Sequence, residues 1–439
     1  MIAQTLFSFK LETTREKLTA HGGLALMAEF NHGLGIRELA NKYLPHPQSN
    51  RGFIPSVYVD SLVLMLESGG VSLEDIREMK YEDGLMKLIG ETKIPSPDAL
   101  GDWLRTMGEK SSGQKGLLGL DKVREKLNHR LLKRDGLKEY TLDADATEII
   151  AEKDEANYTY KGNKGYMPML GFLYEAKLCI YDEFRDGNTS PASGQKDFYT
   201  ESKKRMPKGK KITAYRADSA SYQAELINKL EDDGVKWGIT AAQDKAVKGL
   251  IKSIEETMWH EPVRGCGFEI AETVHCMNRT EKSFRLVIKR EIRKQPDLFE
   301  GERYFHHVIA TNWLEEDKTG YEVIQWHNQR GDAENFNKEL KSGFGMERMP
   351  CGQTYANAVF FRIGVIAYNL FIGFKRLSCP DSWARHTIKT FRWKMIQVAG
   401  CIVRHAGKVI LKLAVDIKKL AVFEEIRRKT FELSLSCDG

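Results

Sequence analysis

The stretch EYTLDADAT, Glu139–Thr147, marks the point where a helical chain becomes a sheet-forming one. It reads as a strand. Residues two apart on a strand share a face, so Asp143 and Asp145 point the same way and Glu148 points the other. Two apolar runs of strand length follow, Tyr166–Glu175 and Lys177–Phe184, joined as a hairpin. Asp186-Gly187-Asn188 is a turn. Gln195–Arg205 reads as a helix ending in Lys203, Lys204 and Arg205. Ile212–Ala217 is a further strand with Asp218 at its C-terminal end, Ser221–Leu230 a helix, and VKWGIT after Gly234 a fifth strand. The order is three strands, helix, strand, helix, strand.

Upstream, residues 1–136 read as helices. Pro55 stands in the tolerated first-turn position of a helix whose inner face carries Val59, Leu62, Val63 and Leu66, and Gly69-Gly70 stops it. Ser72 and Ser96 look like N-caps. A helical domain in front of an α/β core suits recognition of a DNA site, and it equally suits packing or dimerisation.

Downstream, residues 245–315 are too many for a plain loop. They carry strand signals of their own at Phe268–Met277, Ser283–Lys289 and Tyr304–Ala310, and read as a β-rich insertion. Trp259 and Trp313 within it either pack a core or stack on an unpaired base.

A charged helix comes next, HNQRGDAENFNKELK, His327–Lys341. At about 100° per residue, His327, Arg330, Glu334 and Lys341 fall in a stripe about 60° wide, with Asp332 and Glu339 opposite. A solvated helix laced by i,i+4 pairs, Arg330–Glu334 and Glu334–Lys338, has the same pattern. The long apolar run Ala356–Phe374 is interrupted by Asn357, Arg362 and Asn369 and reads as a buried helix, placed to brace the charged one; as a membrane span it would carry these polar groups at a cost.

These residues carry a resemblance. Transposases of bacterial insertion sequences with an Asp-Asp-Glu active site have Tyr-x2-Arg-x3-Glu-x6-Lys around their last acid. Here the spacing is kept with His327 in place of Tyr, followed by Arg330, Glu334 and Lys341. Asp145 two residues before Thr147 and Asp218 in AYRADSASY supply the earlier acids, and the intervening segments resemble insertion-sequence family 1380. The resemblance spans residues 10–415 or so. It implies an α/β fold: a ribonuclease-H-like core, of the retroviral-integrase type, in two parts (137–244 and 316–378). The β-rich insertion separates the parts, the helical domain precedes them, and a helical, basic segment (379–439) follows.

It also implies roles. Asp145, Asp218 and Glu334 would hold two Mg2+ ions, with Mn2+ as an alternative, since hard cations take carboxylate oxygens and a pair of them suits phosphodiester cleavage. His327, Arg330 and Lys341 would contact DNA phosphates, with imidazole standing in for the phenol. Asp143, Thr147 and Ser219 would support the acids; Asp145 is preferred to Asp143 only on the Asp-x-Thr pattern. The implied activity is a DNA transposase that binds terminal inverted repeats, hydrolyses the element ends and joins the 3′ hydroxyls to target DNA, as a homodimer in the synaptic complex. A transposase-derived DNA-binding protein without catalysis, or a nuclease on the same fold, remains open on sequence grounds.

Composition is compatible with this reading. Hydrophobic residues make up 41% of the 439, enough for real cores, and the net charge of +6 by itself names no partner. Its placement says more: seven Lys and Arg and no acid lie between Ser382 and Val415. Lys203, Lys204, Arg205, Lys208, Lys210 and Lys211 are further candidates for backbone contact. The seven cysteines, Cys437 among them, are dispersed without a CxxC pair, as expected of reduced thiols in a cytoplasmic, nucleoid-associated protein. The opening MIAQTLFSFKLETTREKL lacks the pattern of a signal peptide.

Overall fold

The computed structural model describes residues 9–48, 52–91, 93–292 and 303–435; Cys437 and the first eight residues of the opening segment lie outside them. Its centre is an eight-stranded mixed sheet. Five strands form the part that carries the site: β1 (Glu139–Ala146), β2 (Met169–Leu173), β3 (Leu178–Glu183), β4 (Lys211–Ala217) and β5 (Lys236–Thr240). They lie in the order β3-β2-β1-β4-β5. The first three are antiparallel, and β1, β4 and β5 run parallel. Helix α6 (Gln195–Lys204) connects β3 to β4, and α7 (Ala224–Asp232) connects β4 to β5. This is the strand order and direction of the ribonuclease-H-like core.

The insertion supplies β6 (Glu269–His275), β7 (Phe284–Ile292) and β8 (Tyr304–Thr311). They continue the same sheet beyond β5, which pairs antiparallel with β8 through Thr240 and Ile309. Val287, Ile309 and Ile270 then face Val323 and Ile324 of the following helix in one small buried cluster. Trp259 is buried with the Arg290 guanidinium over its ring at 4.2 Å. Trp313 packs edge-on against Trp326. Both tryptophans thus serve the interior.

The helical layer forms where caps and breakers place it. Helix α3 (Pro55–Ser68) starts on its proline and stops at Gly69, whose φ of 118° a side chain would resist. Ser96 accepts from Ala99 N at 3.2 Å and caps α4 (Pro97–Gly108). Helix α5 (Lys115–Leu132) leads into β1. Leu18–Thr19 pairs with the hairpin β9 (Gly400–His405) and β10 (Lys408–Leu413), so the C-terminal basic segment folds back beside the start of the chain.

Helix α11 (Thr354–Leu377) joins the layers. It packs on α3, α4 and α5 and on β3. It is long and apolar enough to cross a membrane, and its apolar window is wholly buried in the protein. Its polar residues explain its seat. Arg362 pairs with Asp182 of β3 at 3.0 Å. Asn369 accepts from Cys179 N at 2.9 Å and donates to Cys179 O at 2.8 Å. The outermost strand therefore finds its missing partners on a helix.

Candidate active site

Register places the first two acids. Asp143 lies opposite Arg216 and Ala144 opposite Ala217 on the parallel pair β1–β4, so the next residue on each strand is Asp145 and Asp218. Both stand at carboxyl ends of neighbouring strands, where chain order reverses across the sheet and open α/β sheets form their crevice. Strand spacing of about 4.8 Å keeps two such carboxylates within reach of a shared ion.

The neighbouring Asp143 is differently used. It is fully buried, and Arg216 Nε and Nη2 donate to its two oxygens at 2.7 and 2.9 Å. Burial pushes its carboxyl up to about 6 while Arg216 holds it down. Arg216 also donates to Trp326 O at 2.6 Å and Gln329 Oε1 at 3.2 Å, tying the sheet to the helix that follows β8. Sequence reasoning passed over Arg216. Its signal was a lone basic residue inside an apolar strand, two positions before Asp218.

The helix bearing the third acid is not continuous. Helix α9 (Gly320–Asn328) ends, and α10 (Gly331–Lys338) begins after a tight turn. Arg330 N donates to His327 O at 3.0 Å and Ala333 N to Arg330 O at 2.9 Å, spacings of three residues instead of four. A π turn, Glu339–Gly343, follows α10 directly. The expected single stripe is therefore broken. His327 is 3% exposed and turned inward, with Nε2 3.3 Å from Ala217 O and 3.4 Å from Thr240 Oγ1. Burial lowers it to about 3, so the ring is neutral. It buttresses the strand end before Asp218, and the expected phosphate contact gives way to that role.

Glu334 and Lys341 do reach the cleft, and Arg330 stands against two of its acids. A cleft of about 300 Å³ is lined by Asp145, Thr147, Glu334, Asn337 and Lys341. Ala333 and Leu340 are buried on the inner side of this segment, and Phe336 packs on Phe172 of β2. Arg330 lies between two acids, 3.5 Å from Asp145 and 3.3 Å from Glu334. Lys341 Nζ donates to Glu148 O at 2.6 Å and Thr147 Oγ1 at 3.3 Å, and burial lowers its pKa. Asp218 Oδ1 accepts from Ala220 N at 3.0 Å, capping a short turn whose first residue, Ser219, is exposed.

Asp145 records the electrostatics. Burial pushes its carboxyl up to about 7; Arg330 pulls it down, and Asp218 and Glu334 push it up. Arg330 thus offsets only part of what burial and the two neighbouring acids cost this carboxylate. Hard carboxylate oxygens in that state fit a divalent cation such as Mg2+. Glu334 stays outermost, its side chain 62% exposed. Among the described residues no three His, Cys, Asp or Glu side chains converge on one point, and Arg330 stands between Asp145 and Glu334.

Most of the other basic candidates have acidic neighbours. Lys203 pairs with Asp233, Lys204 with Glu201, Arg205 with Asp121, Lys210 with Asp135 and Lys211 with Glu139. Arg205 and Lys210 are largely buried in their pairs, whereas Lys203, Lys204 and Lys211 stay exposed at the surface. In the C-terminal segment Arg392 is spent on the carbonyls of Leu66, Glu67 and Gly343.

No curated protein matches the chain in sequence. In structure it is similar to a piggyBac transposase in a synaptic complex with hairpin DNA, at 12% identity and a TM-score of 0.49, over 86% of this chain and 80% of that one. The profile of the family described as transposase DDE domain, group 1, matches residues 7–434, nearly the whole length, and the chain belongs to that family.

Proposed function

We propose that the protein cuts DNA at the ends of an insertion sequence of the family-1380 kind and joins the freed 3′ hydroxyls to target DNA. Asp145, Asp218 and Glu334 are the acids in this reading. The observation that carries it is Asp145 and Asp218 closing adjacent parallel strands, with Arg330 linking Asp145 to Glu334. When bound, a pair of divalent ions would activate the attacking oxygen and stabilise the leaving one. The three carboxylates would hold those ions. Arg330 grips a phosphate by two bonds once it is released from the acids, and Lys341 adds a point charge beside it. Thr147 orients Lys341, and Asp143 fixes β4 through Arg216. Glu334 would come inward with α10, a short helix bounded by a tight turn and a π turn, once a divalent cation offsets the charge of the acids.

Terminal inverted repeats are the proposed substrate, and two copies of the chain the proposed synaptic unit. The test is Mg2+-dependent cleavage of a duplex carrying the element end. Glu334→Ala and Asp145→Asn are expected to lose at least about 1,000-fold in rate, the scale of an essential group. Full activity in either variant refutes the assignment. Cutting without joined products identifies a nuclease, and repeat binding without any cutting identifies a DNA-binding descendant.

A further inference from the structure

Asn337 lies on α10 three residues after Glu334, on the same side of the helix. It is 5% exposed and lines the cleft. Its Nδ2 donates to Asp145 Oδ2 at 2.6 Å. Its Oδ1 is buried and has no hydrogen-bond partner. A buried amide oxygen left without a partner costs stability, and the bond to Asp145 is what the amide gains in return. Residues kept against local stability cluster at functional sites.

We infer that Asn337 is a positioning residue for the cation site. Its amide fixes one oxygen of Asp145 and leaves the other, Oδ1, presented toward Arg330 at 3.5 Å. A neutral donor does this without adding another negative charge to a crowded group of acids. Because Asn337 and Glu334 share α10, the helix that carries one acid also orients another. Partners of this kind set the direction and affinity of a ligating carboxylate. The inference rests on the proposed role of Asp145 as an acid that holds a divalent cation.

The test is Mn2+ binding to the full, DNA-free chain, followed by calorimetry alongside the melting temperature. In Asn337→Leu, Mn2+ affinity is expected to fall about tenfold or more in a chain that still melts in one cooperative transition. Asn337→Ala, which adds no bulk, decides the matter if the leucine variant does not fold. A folded variant without the donor that binds Mn2+ as tightly as the wild type overturns the inference. Asp145→Asn separates the two claims. If it loses Mn2+ binding while Asn337→Leu keeps it, only the role of Asn337 fails; if it also binds like the wild type, the reading of Asp145 itself fails.

Discussion

Asp143 and Asp145 sit two residues apart on one strand and have opposite fates. Asp143 is locked to a buried guanidinium, and Asp145 opens on the cleft. Removing one partner of a buried pair strands the other charge. Asp143→Ala is therefore expected to cost about 3–5 kcal/mol in urea unfolding, and the double change Asp143→Leu with Arg216→Met considerably less. Arg330 and Lys341 yield a different signature. Replacing Arg330 by Ala should weaken binding to an element end across sequences and reduce the slope of log affinity against log salt by about 1. A slope unchanged from wild type would show that this guanidinium makes no phosphate contact. At this scale the sequence narrowed the choice without making it. Alternation put both aspartates on one face, but only the register against Arg216 reveals which carboxylate is already taken.

At the level of elements, the strand order was legible because alternation, turn residues and caps are local signals. The shape of the third-acid helix was not. A wheel assumes one uniform period, and this segment contains a tight turn at Gln329–Arg330 and a π turn at Glu339–Gly343. The first shifts the angular phase between α9 and α10, so His327 turns inward while Arg330 and Glu334 do not; the second shifts it again around Lys341. Gly331 begins α10 with open space around the position of a Cβ. Gly331→Ala is expected to stabilise the protein by about 0.5–1 kcal/mol and to slow cleavage by stiffening the joint; equal gains in both would show the joint to be irrelevant.

Glu67 of α3 supplies a pH prediction. It is fully buried, its two oxygens accept from Asn31 at 3.0 Å, and burial pushes it up to about 8 from an ordinary 4.5. The folded chain then keeps a proton that the unfolded chain releases. The stability this adds is full below about pH 4.5 and declines by about 1.4 kcal/mol per pH unit up to pH 8. Glu67→Gln should flatten that part of the wild-type profile when melting is followed from pH 5 to 8.

On the scale of the whole molecule, one apolar core runs from the N-terminal helices through α11 to the sheet. Arg362 and Arg124 both reach Asp182, so α11, α5 and β3 share one buried charge cluster. A single cooperative transition is expected, with far-ultraviolet circular dichroism and tryptophan fluorescence changing together; Trp103 reports the helices and Trp237 the sheet. Two separated transitions would contradict a shared core.

The path of α11 also governs how the gene can be dissected. A fragment ending at residue 136 would keep α3, α4 and α5 but lose the rod they clasp, and the remainder would carry that rod bare. Each piece made alone should precipitate, and the two made in one cell should recover each other. Grafting this protein's front end onto another catalytic body would thus require carrying Thr354–Leu377 along with it.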